Sequence, residues 1–280
     1  HKLHIYLYPF YYINYTLTTM GAMEFKKKYA EDKAAAWQDY LNLCKVGGSR
    51  SGYDLLQGLG HQCTKLYPAL VQLKTDNTFV RALKGIRADA AITLLKNGQP
   101  LAWSKGEVQF TEYGVSGPAI FELSRAAATS SGNLVLELDL LPGFTEEETA
   151  SLLQQRQQTL PNLTLNNLLT GILHNRLGQT LLRYAGIDLQ AAISGLPRDK
   201  YHKIVRAIKH FTLPVTGTLG FANAQVTAGG IKTAEFNPQT LESRLVPGLY
   251  AAGEVLDIDG DCGGYNLQWA WASGRLAGRL

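Results

Sequence analysis

The sequence predicts an α+β protein: a β region interrupted by a helical insertion, with the chain closing on a strand, a loop and a helix. Three observations carry this. Apolar residues recur every three or four positions over 10–45 and again over 145–210. Two-residue alternation cut by turn residues fills 66–143 and returns from 211 onward. Near the end stands "GEVLDIDGDCGGYNLQWAWASG", Gly253 to Gly274, where acidic residues, glycines and an aromatic amphipathic run follow one another.

The first helical stretch carries Tyr29, Trp37, Tyr40 and Leu41 on one face, and Gly47-Gly48 supplies its stop. "SGYDLLQGLGH" reads as a short helix ending at Gly58 or Gly60. "LYPALVQLKT", "ITLLKNGQPLAW" and "GEVQFTEYGVSG" read as β structure, with Asn97-Gly98 at the centre of a hairpin turn. "NLVLELDLLPG" over 133–143 continues it. Thr145 and Glu148 form a capping box ahead of "ASLLQQRQQ", because each side chain can satisfy the other residue's free amide. "LTLNNLLTGILHNRLGQTLLRYAG" has a strong apolar stripe ending at Gly186, and Pro197 sits at the first turn of "PRDKYHKIVRAIKHF". The basic residues of that helix read as a solvated face. "FTLPVTGTLG", "AQVTAGGI" and "SRLVPGLYAAGEV" read as strands, the last buried and running into the acidic glycine loop.

Composition excludes several classes. Over 280 residues, 45% hydrophobic and 18% charged content describe an ordinary globular chain. A formal charge of +4, with no basic stripe and no nucleic-acid motif, gives no reason to expect a nucleic-acid partner. Cys44, Cys63 and Cys262 form neither a disulfide framework nor a zinc knuckle and fit a reducing compartment. "IYLYPFYYINYTLTTMGAM" is uncharged, but its tyrosines, threonines, asparagine and Pro9 make a poor lipid-facing surface. The expectation is a cytoplasmic protein without a membrane span.

In the acidic loop, Asp257, Asp259 and Asp261 match the first, third and fifth positions of a calcium loop. The match then fails, since Cys262 and Gln268 stand where Gly and Glu are needed. Two readings remain open on physical grounds. Glu254 at the end of a strand, a glycine turn and the free amides of a helix start would suit an anionic or electron-rich cofactor. Alternatively, a terminal helix docks on a sheet through Ala270, Ser273, Gly274 and Ala277.

"LVPGLYAAGEVLDIDGDCGGYNLQWAWASGRLAG" resembles the closing segment of the YhiN/BaiN-type FAD-dependent oxidoreductases, the aminoacetone oxidase family. "VTAGGIKTAEFNPQTLESR", "YGVSGPAIFELSR" and "LYPALVQL" extend the resemblance over roughly 52–280, in the family's order. It implies a partial two-dinucleotide-binding flavin fold with an inserted β domain and an inserted helical domain. The implied parts are 52–67 with 236–280 as the remnant of the FAD-binding domain, 68–143 with 211–235 as the β domain, and 144–210 as the helical insertion.

By resemblance, Glu254 sits near the ribityl-phosphate part of FAD, the backbone of Gly263, Gly264, Tyr265, Asn266 and Leu267 faces the flavin's pyrimidine side, and Gly253 and Asp261 belong to the same cofactor site. Gly229 and Gly230 leave room for the ring, and Gly117 lines a substrate site. The implied electron donor is NADH or NADPH, the substrate a small organic molecule. No acid or base is identified as catalytic.

The sequence departs from that family in one respect. No G-x-G-x-x-G turn with a preceding strand occurs in its first hundred residues, so the ADP half of FAD has no recognisable seat. Residues 1–51 instead resemble the C-terminal end of oligoendopeptidase F, a zinc peptidase, through "PFYYINY" and "YLNLCKVGGSRS". That resemblance implies a helical segment with His4, Tyr11, Tyr12 and Tyr15 as peptide-holding candidates. A zinc peptidase needs H-E-x-x-H, and none of the 6 histidines is followed by Glu. The expectation is thus a flavin oxidoreductase, incomplete for want of the G-x-G-x-x-G element. Its alternatives are a non-enzymatic chimeric or truncated fragment with an empty cofactor cleft, and a piece of a peptidase.

Overall fold

The structure, a computed structural model, describes residues 50–278. The first helical stretch, and with it His4, Tyr11, Tyr12 and Tyr15, lies outside the described residues. The chain divides into two compact units, one running from Gln72 to Leu219 and the other made of the segments before and after it.

The Gln72–Leu219 unit is built on a closed six-stranded antiparallel barrel. Its strands are β2 (Leu73–Thr75), β3 (Arg87–Lys96), β4 (Gln99–Phe110), β5 (Gly114–Ser116), β6 (Leu134–Asp139) and β7 (Phe211–Thr218), in the order β2-β5-β4-β3-β6-β7. Alternation decides which side chains point inward. Ala90, Ile92 and Leu94 of β3, Leu134, Leu136 and Leu138 of β6, and Phe211 and Leu213 of β7 are all buried. Asn97 (φ 52°) and Gly98 (φ 80°) turn β3 into β4 with both residues left-handed, as a tight hairpin requires.

Between β5 and β6 lies helix α2 (Pro118–Thr129; α1 belongs to the other unit), which the sequence reading did not assign. Pro118 stands at its first position, and Gly117 at its N-cap has φ 107°. Its buried residues Ala119, Ile120, Leu123 and Ala127 share one face, and Ser104 of β4 donates to the Ala119 carbonyl at 2.6 Å.

The helical insertion enters between β6 and β7 as α3 (Glu146–Thr159), α4 (Asn175–Tyr184) and α5 (Arg198–Lys209). Thr145 and Glu148 make the expected reciprocal cap, at 3.1 and 2.7 Å. The apolar stripe predicted over 163–186 becomes a short 3-10 turn at Leu165–Asn167 followed by α4, and Pro197 is the N-cap of α5 rather than within its first turn. Insertion and barrel share one apolar core, to which Leu153, Leu177, Leu181, Ile204 and Ile208 contribute. Lys209, buried at the end of α5, donates to Asp139 Oδ2 (2.6 Å) and to the carbonyls of Leu141 and Phe144.

The other unit contains α1 (Ser51–Gly58), β1 (Tyr67–Ala69), β8 (Val226–Ala228) and α6 (Tyr265–Ala277). β1 and β8 pair antiparallel, with Pro68 opposite Thr227. Two expectations are corrected here. "LYPALVQLKT" is two strands in different units, because Leu70 takes φ 46° and breaks the run. The boundary also shifts: 220–235 belongs with the terminal segments, since Thr64, Cys63 and β1 bond to 226–231, and the barrel and helical insertion form one unit.

Candidate functional site around Glu254

The segment 249–255 was expected to be a buried strand. It is buried and extended at Ala251 and Ala252, but it forms no strand, and Gly253–Val255 closes in a 3-10 turn. The reason lies in its partners, which change from residue to residue. The Leu249 carbonyl accepts from Ser243, the Ala251 amide donates to Leu241, and the Val255 carbonyl accepts from Ile231. Among the described residues no continuous neighbour lets a ladder propagate.

Helix α6 fixes the turn instead. Ser273 Oγ accepts the Gly253 amide at 2.9 Å, and Trp269 Nε1 donates to the Gly253 carbonyl at 3.0 Å. Ser273 and Ala277 are buried as the docking reading expects, whereas Gly274 is exposed. With both polar groups of Gly253 held, the Glu254 side chain is directed to β8. There its Oε1 accepts the Thr227 amide at 2.8 Å, while Tyr53 donates to the Glu254 main-chain carbonyl at 3.3 Å.

Glu254 is only 4% exposed, and its Oε2 is buried with no hydrogen-bond partner among the described residues. Burial pushes its carboxyl up to about 7; the Thr227 hydrogen bonds oppose this, and nearby Asp259 adds to it. On either side of it in the chain, Ala251, Ala252, Val255 and Leu256 belong to the unit's buried apolar cluster, as does Ile231, whose amide donates to the Val255 carbonyl. Among the described residues, no three His, Cys, Asp or Glu side chains are grouped to hold a metal.

The loop from Gly260 to Gly264 is shaped by Asn266, which accepts the Gly260 amide and donates to the Gly260 carbonyl, both at 2.8 Å. Gly263 (φ 118°) and Gly264 (φ 95°) adopt left-handed conformations, and Gly264 is the N-cap of α6. No side chain caps that helix, so the first amides, at Tyr265, Asn266 and Leu267, have no acceptor from a cap residue. Asp261, Gly263, Gly264 and Tyr265 are exposed, Leu267 is half-buried, and the Asn266 side chain is committed to Gly260.

Gly229 and Gly230 sit where the chain meets itself. A Cβ on Gly229 would lie 2.3 Å from the Lys65 carbonyl oxygen, and one on Gly230 would lie 2.7 Å from the Asp257 nitrogen. The space that a Cβ would take at these two positions is filled by protein backbone, so close approach of the chain by itself calls for glycine here. Gly117 lies in the barrel unit, where a Cβ would stand 2.6 Å from the Glu107 carbonyl oxygen, so its role in the fold is close approach to β4.

One buried network escaped the sequence reading. His61 Nδ1 lies 2.8 Å from Glu235 Oε2, and Nε2 lies 2.9 Å from Ser243 Oγ. Its ring stacks on Phe236 at 4.7 Å. Ser243 Oγ already accepts the amides of Leu245 and Val246, so its hydrogen goes to Nε2 and Nδ1–H goes to Glu235. The distances are those of a serine relay. Ser243, however, is 7% exposed and both its lone pairs are used, so it is a clasp and not a nucleophile. The partners stand 174 and 182 residues from His61, and no local pattern announces them. The clasp ties down the stretch in which Thr64 bonds Gly230 and Ile231 bonds Val255 and Asp257.

A family model described as the HI0933-like protein barrel and H2TH domain matches residues 67–226. A 3-dehydro-bile acid delta(4,6)-reductase of Clostridium scindens is 40% identical over 237 residues, 84% of this chain and 58% of that protein. Ribosomal RNA dihydrouridine synthases of Haemophilus influenzae and Escherichia coli K12 are 32% and 30% identical, over 83% of this chain and 56% of each. The chain therefore spans little more than half the length of the curated relatives it matches. None of these three is named as a peptidase, and the oligoendopeptidase F resemblance of residues 1–51 gains no support from them.

Proposed function

The chain belongs to the HI0933-like family of YhiN/BaiN-type flavoproteins, and we propose that it serves in a flavin-dependent reductase. Its substrate is a small molecule with a carbon–carbon double bond conjugated to a carbonyl, and its electron donor is NADH or NADPH. The observation that carries this is the pair of activities named for its relatives. A delta(4,6) 3-oxo steroid and the uracil ring both present an alkene conjugated to a carbonyl, and both named reactions saturate it. A small molecule is favoured over RNA because the steroid reductase is the more similar, at 40% against 32%. The unit that holds α1, β1, β8 and α6 is then part of a two-dinucleotide-binding flavin fold, and the free thiol of Cys63 suits the cytoplasm.

Two features fit a flavin and one does not. The uncapped start of α6 offers amides where negative charge on a reduced ring needs stabilising, and Glu254 has an acceptor oxygen to spare. The Gly229-Gly230 pair offers no cradle. For a G-x-G-x-x-G element this sequence has no counterpart, so no residue of the chain is assigned to the ADP half.

A bound flavin supplies the hydride. The chain's part is to bind, orient and keep water away: Asn266 holds the loop that presents the α6 amides, Ser273 and Trp269 aim Glu254, and apolar residues exclude solvent around it. The test is the visible spectrum of the purified protein with added FAD or FMN. Flavin absorbance bleached by NAD(P)H and restored by a conjugated steroid enone is expected. A protein that takes up neither flavin overturns the reading. Turnover of a uridine-containing RNA but not of the enone would replace the small molecule with RNA.

A further inference from the structure

Residues 249–257 make no strand, and two stretches of chain hold them. On one side the Leu249 carbonyl accepts the Ser243 amide at 2.7 Å, and the Ala251 amide donates to the Leu241 carbonyl at 3.2 Å. On the other the Ile231 amide donates to the Val255 carbonyl at 2.8 Å, and the Ile231 carbonyl accepts the Asp257 amide at 2.9 Å. Gly230 and Lys232 are braced in turn by 62–64, through Thr64 and the Gln62 carbonyl. The His61 ring joins these supports. Nδ1 lies 2.8 Å from Glu235, which also accepts the Gln62 amide, and Nε2 lies 2.9 Å from the hydroxyl of Ser243. The Arg244 amide closes the same corner along the main chain by donating to the Glu235 carbonyl. The ring is fully buried and stacked on Phe236, so packing fixes its orientation as well as its place.

Burying three polar side chains gains little net stability; what a fully satisfied network gives is one arrangement in place of several. Resting on the flavin reading above, we propose that His61 is a positioning residue for the turn at Gly253–Val255. It touches no ligand and acts by holding together the two supports between which that turn is hung. When the bonds of the ring are lost, the 241–243 and 230–232 stretches are free to shift against each other. The turn is bonded through its neighbours to both, so it then samples more than one position. A cofactor meeting it must order the turn on binding, and affinity falls while the fold persists.

The experiment is FMN binding by three variants at a temperature where each is folded; FMN is the probe because it needs no seat for an ADP half. His61→Phe keeps the stack on Phe236 and removes both bonds, and its affinity should fall about tenfold. His61→Gln, whose amide can donate to Glu235 and accept from Ser243, should return to within about threefold of the wild type. Lys209→Met removes a buried clamp in the other unit and should stay within about twofold, although it too loses stability. A second readout needs no variant to fold. In wild-type hydrogen exchange across a urea series, the amides of Ile231, Ser243, Ala251 and Asp257 should open together with one common slope. Separate opening of Ser243 and Asp257 overturns the proposal and leaves the flavoprotein reading intact. So does wild-type affinity in His61→Phe, an equal loss in Lys209→Met, or no recovery in His61→Gln. A wild type that binds none of riboflavin, FMN and FAD overturns both.

Discussion

Alanine at Gly229 and alanine at Gly264 demand nearly the same positive φ and meet different surroundings. The two glycines have φ of 90° and 95°, so a Cβ costs either position about 1–2 kcal/mol of left-handed strain. At Gly264 nothing lies within 4 Å of the new methyl, whereas at Gly229 it would fall 2.3 Å from the Lys65 carbonyl oxygen and 3.0 Å from the Lys65 carbonyl carbon. Those are backbone atoms, and they cannot swing aside as a side-chain tip would. Relief requires the 64–65 segment to move, which strains three hydrogen bonds between Thr64 and Gly230 at 2.8–3.1 Å. Overpacking of this kind adds about 1–3 kcal/mol. Gly229→Ala should therefore lose about 2–5 kcal/mol, and Gly264→Ala about 1–2. Urea unfolding gives the totals, and hydrogen exchange locates the loss in peptides spanning 61–70 and 226–257. Equal destabilisation by the two substitutions would refute the steric argument. A Gly229→Ala protein of wild-type stability that merely fails to retain flavin would restore the view that this glycine makes room for a ring.

Four further outcomes follow from buried or paired charges. A Glu254 carboxyl raised from 4.5 to about 7 contributes stability fully present below 4.5 and lost as pH rises through 7, about 3 kcal/mol in all; Glu254→Gln should thus match the wild type in acid and exceed it by about 2–3 kcal/mol at pH 8, read by urea midpoints. Lys209→Met leaves Asp139 and two carbonyls without their donor and should cost about 3 kcal/mol, seen as faster exchange at the end of β6. Its neighbour His210 is raised by Glu146, with Glu137 adding to this, so its contribution is full below about 6.5 and lost as pH climbs through the higher folded value; His210→Gln should differ from the wild type near pH 5.5 and converge with it in alkali. His61→Phe keeps the stack on Phe236 but strands Glu235 and Ser243, and should cost about 2–4 kcal/mol by thermal unfolding, with His61→Gln recovering part of it.

What could be read from the sequence was local. The Thr145–Glu148 cap and the Asn97-Gly98 turn depend on side chains within three residues of each other, and both are found as expected. Helix α2 had a legible start in Gly117-Pro118, but its apolar face was masked by the β-like texture around it. The run at 249–255 misled for the opposite reason: alternation and burial are properties of the chain, while a strand also needs a continuous partner, and Ser243, Leu241 and Ile231 each give only one bond.

The sequence by itself determined the α+β class, the helical insertion, the glycine-to-helix unit at 263–277 and, through four separated motifs, the family. Each of these is encoded in spacing along the chain. Only the tertiary structure decided that the barrel closes in the order β2-β5-β4-β3-β6-β7, that Gly229 and Gly230 face backbone, and that His61 joins Glu235 and Ser243. It also turned Glu254 from a motif letter into a buried acid with one oxygen unpaired. Desolvation and pairing depend on which distant atoms arrive beside a group, and no window of neighbouring residues contains that information.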